Sequence, residues 1–266
     1  MLDRFNRKIN YLRISVTDRC NLRCKYCMPE EGIKWIDHNN IITYEEIVQI
    51  VKAGVTYGID KIRITGGEPL VRKGIANLVQ MLAAVDGIKD IALTTNGILL
   101  EQYADKLAIA GLHRINISMD TINPERYKEL TRGGDVNAVF KGIKAAQLAG
   151  LSPIKINCVV RNSSMEADAF AVKEFCDENK LQVRFIHQMN LSEGHFAVVE
   201  GGTGGDCKKC NRLRVTSNAK IKPCLFSDME YDIRVLGIEK AFEMALDTKP
   251  LKGTKNHTDF FNNIGG

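Results

Sequence analysis

Two groups of three cysteines are the residues of this chain best suited to chemistry. The first trio is Cys20, Cys24 and Cys27, spaced Cys-x3-Cys-x2-Cys, and the second trio is Cys207, Cys210 and Cys224. Cys158 and Cys176 stand alone in apolar stretches, which is typical of buried small hydrophobes. In a reducing compartment, grouped cysteines indicate metal binding before disulfides. The sequence therefore predicts two metal centres.

The spacing of the first trio predicts an iron–sulfur cluster with one open iron. Three thiolates on one loop can hold three irons of a 4Fe-4S cubane and leave the fourth without a protein ligand. That iron can chelate S-adenosylmethionine, and one electron from the cluster then breaks a carbon–sulfur bond to give a 5′-deoxyadenosyl radical. A zinc site usually takes four ligands at other spacings. With Tyr26 before the third cysteine, the loop resembles the signature of the radical S-adenosylmethionine (radical SAM) superfamily.

The second trio predicts a second centre near the other end of the chain. Two residues separate its first two cysteines, and thirteen separate Cys210 from Cys224. A zinc knuckle is an alternative, with His187 and His195 as weaker candidates for a fourth ligand. Arg212 and Arg214 lie between these cysteines and indicate an anion clamp beside an open iron, with a solvated pair as the alternative.

Apolar segments that alternate with longer amphipathic ones predict six strand-then-helix units. We expect strands at Tyr11 to Thr17, Lys61 to Thr65, Asp90 to Thr94, Arg114 to Ser118, Ile154 to Val160 and Gln182 to Ile186. We expect helices at Thr43 to Tyr57, Ile75 to Ala84, Leu100 to Ala110, Val136 to Ala149, Glu166 to Asn179 and Gly237 to Leu246. Strands rich in Ile and Val are typical of sheets buried on both faces. The fold class is therefore α/β, a partial (β/α)6 TIM-type barrel with its chemistry at the carboxyl ends of the strands.

The pattern changes after the sixth strand. We expect residues 1–190 to form the partial barrel and residues 191–266 a short C-terminal segment that carries the second iron–sulfur cluster. The glycine-rich stretch from Gly201 to Gly205 is interpreted as a flexible linker into the second trio. In this arrangement the two trios face each other across the mouth of the barrel.

Small polar residues and glycines follow three of the predicted strands. These segments are Thr65-Gly66-Gly67-Glu68-Pro69, Thr94-Thr95-Asn96-Gly97 and Ser118-Met119-Asp120. Glycine lets the backbone approach a ligand closely, so the first segment suits a binding loop. Turn chemistry and helix capping are the alternative for the other two.

Composition and charge narrow the classes of partner. The net charge of +5 is spread along the chain, which disfavours nucleic acid and fits an anionic small molecule. No run of eighteen apolar residues indicates a membrane span. The stretch from Met1 to Asn10 lacks the apolar core of a secretory signal, so we expect a cytoplasmic protein.

Taken together, the motifs resemble a known family, molybdenum cofactor biosynthesis protein A, the GTP 3′,8-cyclases. The resemblance is carried by Leu12 to Cys20, Lys61 to Pro69, Leu93 to Gly97, Arg184 to Ile186, the segment of the second trio and the pair Gly265-Gly266. It implies a radical SAM lyase with two 4Fe-4S clusters that takes a hydrogen from ribose C3′ of GTP and bonds C3′ to guanine C8. It further implies an external one-electron donor and a downstream pterin-forming partner protein, and a homodimer is compatible with it.

The resemblance also assigns roles to individual residues. Tyr26, Gly67, Glu68, Ser118 and Met189 would lie against S-adenosylmethionine. Arg13, Arg63, Thr94, Lys155, Arg212 and Arg214 would contact the nucleotide. The two arginines beside the second trio and the tail Gly265-Gly266 would take part in catalysis, the tail by reaching into the active site. A frayed terminus is the alternative for the tail.

Two departures from the family pattern concern the wall of the nucleotide site. His187 stands where the family usually carries an acidic residue. Only seventeen residues separate Met189 from Cys207, where relatives usually have a much longer segment. A shortened wall keeps open a paralogue that acts on another nucleotide or on a peptide. A non-catalytic iron–sulfur protein is disfavoured, because binding motifs accompany both trios.

Overall fold

A single nine-stranded sheet organises the computed structural model, which describes residues 1–258 and 261–265. Its strands are β1 (Tyr11–Ser15), β2 (Lys61–Thr65), β3 (Asp90–Thr95), β4 (Arg114–Ser118), β5 (Ile154–Val160), β6 (Gln182–His187), β7 (Arg212–Val215), β8 (Lys220–Lys222) and β9 (Tyr231–Asp232). The helices are α1 (Tyr44–Thr56), α2 (Ile75–Ala83), α3 (Leu100–Ile109), α4 (Pro124–Thr131), α5 (Val136–Leu148), α6 (Ala167–Glu178), α7 (Ile233–Leu236), α8 (Ile238–Asp247) and α9 (Phe261–Ile264). The strand order is β6-β5-β4-β3-β2-β1-β7-β8-β9.

The predicted strand-then-helix units are confirmed. Strands β1 to β6 pair in parallel with their neighbours, as a partial TIM-type barrel requires. Helix α4 was not predicted. The pair Asn123-Pro124 could have indicated its start, since Asn is a common helix cap and Pro is favoured at the first helical position. In the structure the Asn123 side chain accepts from the Arg126 amide at 2.9 Å. Among the helices of the described residues, none is both long and apolar enough to cross a bilayer.

The start of α1 shows how local sequence fixes an element. Thr43 Oγ1 accepts from the Glu46 amide at 3.1 Å, and Glu46 Oε2 accepts from the Thr43 amide at 2.7 Å, which completes the predicted capping box. Arg234 Nε also donates to Glu46 Oε1 at 2.8 Å. This ion pair fixes the C-terminal region to α1.

The barrel strands are apolar on one face only, which corrects the expectation of a sheet buried in apolar surroundings on both faces. Successive residues of a strand point to opposite faces. Leu12 and Ile14 of β1 are fully buried in the apolar core, whereas Arg13 between them lines a cavity on the other face. The inner face therefore forms a polar lumen, unlike the packed interior of a closed TIM barrel.

The C-terminal region extends the sheet. Strand β7 pairs in parallel with β1, and β8 pairs antiparallel with β7. Helix α8 packs against α1 and β8. Both lone thiols, Cys158 and Cys176, are fully buried in the apolar core, as predicted.

The direction of β7 also corrects the predicted placement of the trios. Cys207 and Cys210 precede β7, so they lie at the edge where the parallel strands begin. The first trio follows β1 and lies at the edge where these strands end. The two trios thus occupy opposite ends of the lumen and do not face each other across one mouth.

Candidate active site

The first trio lies on a compact loop. The amides of Cys27 and Met28 both donate to the Cys24 carbonyl, at 2.9 and 3.0 Å, and the Leu22 amide donates to Cys20 Sγ at 3.4 Å. Burial raises the pKa of Cys20 to about 11 and that of Cys27 to about 12. Neighbouring thiols further raise the pKa of Cys24 and Cys27, so the three groups lie close together. They stay protonated until a metal displaces the protons.

The arrangement of the thiols suits a cluster better than one ion. Within the described ranges, no three His, Cys, Asp or Glu side chains converge as the ligands of a single metal ion would. A cubane needs a different geometry, because each thiolate binds a different iron atom. Three neighbouring thiols on one loop fit that requirement.

The backbone after β2 packs against the chain that leads into the first trio. The Gly67 amide donates to the Thr17 carbonyl and the Glu68 amide to the Arg19 carbonyl, each at 2.8 Å. A methyl group added to Gly67 would lie 2.7 Å from the carbonyl oxygen of Asp18. Glycine is therefore required for this close approach.

The Glu68 side chain connects the ends of β2 and β3. Its carboxylate accepts from Thr95 Oγ1 at 2.7 Å, from the Asn96 amide at 2.6 Å and from the Leu70 amide at 3.0 Å. Burial raises the pKa of Glu68 to about 7, and these hydrogen bonds oppose the rise. The carboxylate therefore positions the two loops, and any predicted cofactor contact of Glu68 falls to its backbone.

Tyr26 and Met189 lie beside the first trio and face the same cavity. Together with Cys27 they line a cavity of about 440 Å³. The Tyr26 hydroxyl hydrogen-bonds to Asp120, whose pKa is raised to about 6 by burial. Ser118 ends β4 outside the lining of this cavity. The structure thus brings together two of the side chains predicted to contact S-adenosylmethionine.

The second trio lies at the other end of the lumen. Cys207, Cys210 and Cys224 line one cavity of about 330 Å³. Burial is the larger cause of a raised pKa at Cys224, and the Cys210 thiol contributes to the same rise. These two thiols are therefore neighbours. His187 and His195 are absent from the described lining, and the His195 side chain is 83% exposed. The lining therefore favours the cluster interpretation over a zinc site completed by histidine.

The same cavity carries a dense set of cations. They are Arg13, Lys61, Arg63, Arg114, Arg184, Arg212, Arg214 and Lys249. Four of these cations, Arg13, Arg63, Arg212 and Arg214, were predicted to contact the nucleotide. The other four, Lys61, Arg114, Arg184 and Lys249, were not. The period of two along β2, β4 and β6 could have identified the first three, because it sends them to the inner face.

The other two predicted nucleotide contacts lie near these cations. Thr94 Oγ1 accepts from Arg63 Nη1 at 3.1 Å. Partial burial and the nearby Arg184 and Arg114 lower the pKa of Lys155. Both residues border the cationic cavity without contributing to its described lining.

The arginines of the cavity repel one another. The strand register places Arg13 directly between Arg63 and Arg214. Burial and the neighbouring arginines lower the pKa of Arg13 well below its usual range and that of Arg214 to about 10. Arg114 is balanced by hydrogen bonds to Asp90, whereas no carboxylate of the described residues forms an ion pair with Arg63 or Arg214. The cavity is therefore electrostatically suited to a polyanion.

The C-terminal tail enters this group of arginines. Arg13 Nη2 donates to the Gly265 carbonyl at 3.3 Å, and Arg214 Nη1 donates to the same oxygen. Gly265 has a φ of +65°, and a methyl group added to it would lie 2.9 Å from Thr65 Oγ1. Glycine is therefore required here by both conformation and space. The predicted partner in the tail, Gly266, lies outside the described residues.

Residues 196–206, here named the strap, connect the two edges of the lumen. The backbones of Phe185 on β6 and Glu200 exchange hydrogen bonds of 3.1 and 3.0 Å. Arg212 Nη2 on β7 donates to Thr203 Oγ1 at 3.0 Å. His187 Nε2 lies 3.5 Å from Glu200 Oε1. The strap thus forms the wall of the cavity in the short stretch between Met189 and Cys207.

Comparisons with known proteins agree with this geometry. A profile of the radical SAM superfamily matches residues 14–171. The GTP 3′,8-cyclase of Alkaliphilus oremlandii is 44% identical over 275 positions, which cover 88% of this chain and 86% of the relative. That of Petrotoga mobilis is 39% identical and covers 98% and 97%. In fold, the structure of Streptococcus suis SuiB with its precursor peptide SuiA superimposes with a TM-score of 0.66 at 18% identity, over 92% of this chain and 66% of SuiB.

The chain belongs to the GTP 3′,8-cyclase family of radical SAM enzymes. Members of this superfamily use S-adenosylmethionine and a 4Fe-4S cluster, and the first trio fits such a cluster. The alignment with the Petrotoga GTP 3′,8-cyclase runs over 313 positions, more than the 266 residues of this chain. This member of the family therefore lacks residues that the relative has.

Replacing Gly67 by alanine should weaken S-adenosylmethionine binding at least about tenfold, because the added methyl group pushes the loop after β2 away from the first trio. Equilibrium binding to the anaerobically reconstituted enzyme measures the effect. Gly54→Ala is the matched control, since its methyl group would meet only side chains, at 3.3 Å. Equal affinities for the two variants would contradict the tight packing at Gly67.

Replacing His187 by glutamate should loosen the strap, because a second carboxylate would then face Glu200. The pair is partly exposed, so we expect about a threefold increase in the rate of limited proteolysis within residues 201–205. The double variant H187E/E200K should restore the wild-type rate. His195→Glu, at an exposed neighbouring pair, is the control and should cleave like wild type. An unchanged rate in H187E would show that the pair does not fix the strap.

Proposed function

We propose that this enzyme converts GTP to (8S)-3′,8-cyclo-7,8-dihydroguanosine 5′-triphosphate in molybdenum cofactor biosynthesis. The reaction removes a hydrogen atom from ribose C3′ and joins C3′ to C8 of the guanine base. Cys20, Cys24 and Cys27 are the proposed ligands of the radical-forming cluster. The second trio is proposed to hold a second 4Fe-4S cluster that binds the nucleotide. The observation that carries the proposal is the cationic lumen between the two trios.

The lumen suits a nucleoside triphosphate in charge and in shape. Guanidinium groups bind phosphate oxygens through two parallel hydrogen bonds, and such bonds are stronger away from bulk water. Arg13, Arg63 and Arg214 lie side by side on β1, β2 and β7. Burial and the neighbouring arginines lower the pKa of Arg13 and of Arg214. The Nε atoms of Arg184 and Arg212 are buried and have no hydrogen-bond partner among the described residues. A triphosphate would satisfy these donors and remove the mutual repulsion.

The protein's own residues orient the reactants and limit the access of water. When bound, the first cluster and S-adenosylmethionine supply a carbon radical that abstracts hydrogen. Met189 lines both the cavity beside the first trio and the cationic cavity, so it forms part of their shared wall. The strap covers the side of the lumen, and Gly265 occupies part of the space between Arg13 and Arg214. Arg212, Arg214 and the glycine tail are the proposed contributors to catalysis at the nucleotide.

The proposal includes two further components. Cluster reduction requires an external one-electron donor, and the cyclic product requires a pterin-forming partner protein. No nucleic-acid or membrane partner is proposed, since the net charge of +5 is modest and the cations that cluster in the structure line the lumen.

The shortened wall supports one competing function. With residues missing relative to the Petrotoga enzyme, the cavity could admit another nucleotide or a peptide. The cationic lining favours a polyphosphate over a peptide. Substrate competition therefore decides between the two functions.

The decisive experiment is turnover of GTP by the reconstituted enzyme. Wild type should bind about eight irons per chain, release 5′-deoxyadenosine under reduction, and yield a GTP-dependent product that is detected as a pterin after oxidation. ATP at equal concentration should give no pterin. Cleavage of S-adenosylmethionine without a GTP-dependent product would contradict the proposal and support the competing function.

Replacing Arg214 by methionine should weaken GTP binding by about thirtyfold, because one charge-assisted contact contributes about 2 kcal/mol. Isothermal titration with GTP on the reconstituted enzyme measures the loss. Arg126→Met removes an exposed arginine that pairs with Asp168 and should leave the affinity unchanged. Equal affinities for the two variants would place the triphosphate away from β7.

A further inference from the structure

Lys249 is a buried ammonium group behind the second trio. It follows α8, is 1% exposed and lines the cationic cavity. Its Nζ donates to the carbonyl oxygens of Arg212 and Pro223, each at 2.7 Å. A buried lysine is costly unless its charge and its hydrogen bonds are satisfied, so its position requires an explanation.

The two carbonyl groups connect Lys249 to two cysteines of the trio. Arg212 stands two residues after Cys210, and Pro223 directly precedes Cys224. The ammonium group therefore joins the start of β7 to the segment after β8. The same ammonium group hydrogen-bonds to the Cys210 side chain, and Lys249, Cys210 and Cys224 line the same cavity.

The charge of Lys249 is not balanced by a carboxylate of the described residues. A second buried cation, Arg7, provides the contrast. Arg7 donates to the carbonyls of Cys207 and Pro250, each at 2.8 Å, and its charge is balanced by Asp3 at 2.7 Å. Both cations donate hydrogen bonds to backbone carbonyls of the trio and its neighbours. Only the charge of Lys249 remains available to an anionic group inside the cavity.

We infer that Lys249 is a positioning residue of the second trio and the counter-charge of the anionic cluster that the trio holds. The inference depends on the proposed second cluster. Thiolate-ligated clusters are negatively charged, and nearby charges and hydrogen bonds set their reduction potentials. A fixed positive charge favours the reduced form of the cluster. Loss of this charge should therefore lower the potential of the second cluster alone.

Two substitutions separate the positioning role from the charge. Lys249→Met removes both the hydrogen bonds and the charge, and it should reduce bound iron from about eight to about four per chain. Lys249→Gln keeps a donor for the carbonyl oxygens but carries no charge. It should retain the second cluster and shift its midpoint potential to more negative values. Iron analysis and a redox titration followed by electron paramagnetic resonance measure both effects, with the first cluster as internal reference.

The double variant D3N/R7M is the matched control, because it removes a buried pair without changing the net charge. In the fraction of the protein that holds the second cluster, the potential of that cluster should be unshifted. Full iron in K249M together with an unshifted potential in K249Q would overturn the inference. If K249Q also loses the second cluster while the first remains, the positioning role is supported. A wild type with about four irons would instead refute the second cluster itself, a failure distinct from that of Lys249.

Discussion

The cavity of this protein is built around a buried concentration of like charge. Arg13, Arg63 and Arg214 stand side by side across three neighbouring strands, in a lumen largely removed from bulk water. Their mutual repulsion opposes the folded arrangement of these strands, since charges out of water interact strongly. The fold tolerates the repulsion because a large apolar core lies on the other face of the same strands. A bound polyanion would convert the repulsion into attraction.

The scaffold places these charges with simple means. A period of two sends Leu12 and Ile14 to the helices and Arg13 to the lumen. The partial barrel leaves that lumen wide enough for a ligand, where a closed barrel would fill it with branched side chains. Strand β7 then adds the last arginines of the set by joining β1 in parallel.

The two cysteine trios mark the ends of the lumen, and the elements between them form its walls. The loop of Gly67 holds the first trio against β2 by a close backbone contact. At the other end, two buried cations hold the backbone of the second trio. The strap and the tail at Gly265 cover the remaining sides. The strap and the tail are short segments, and each is fixed by polar contacts to arginines of the lumen.

The sequence by itself determined the six barrel strands, most helices, both cysteine trios and the family, because periodicity, capping residues and cysteine spacing are local signals. Local signals do not report the direction of a strand. For that reason only the tertiary structure showed that β7 runs parallel to β1, which puts Cys207 and Cys210 at the far end of the lumen. The contacts of Lys249 and the pairing of His187 with Glu200 were likewise decided by the fold, because each joins segments whose proximity no spacing encodes.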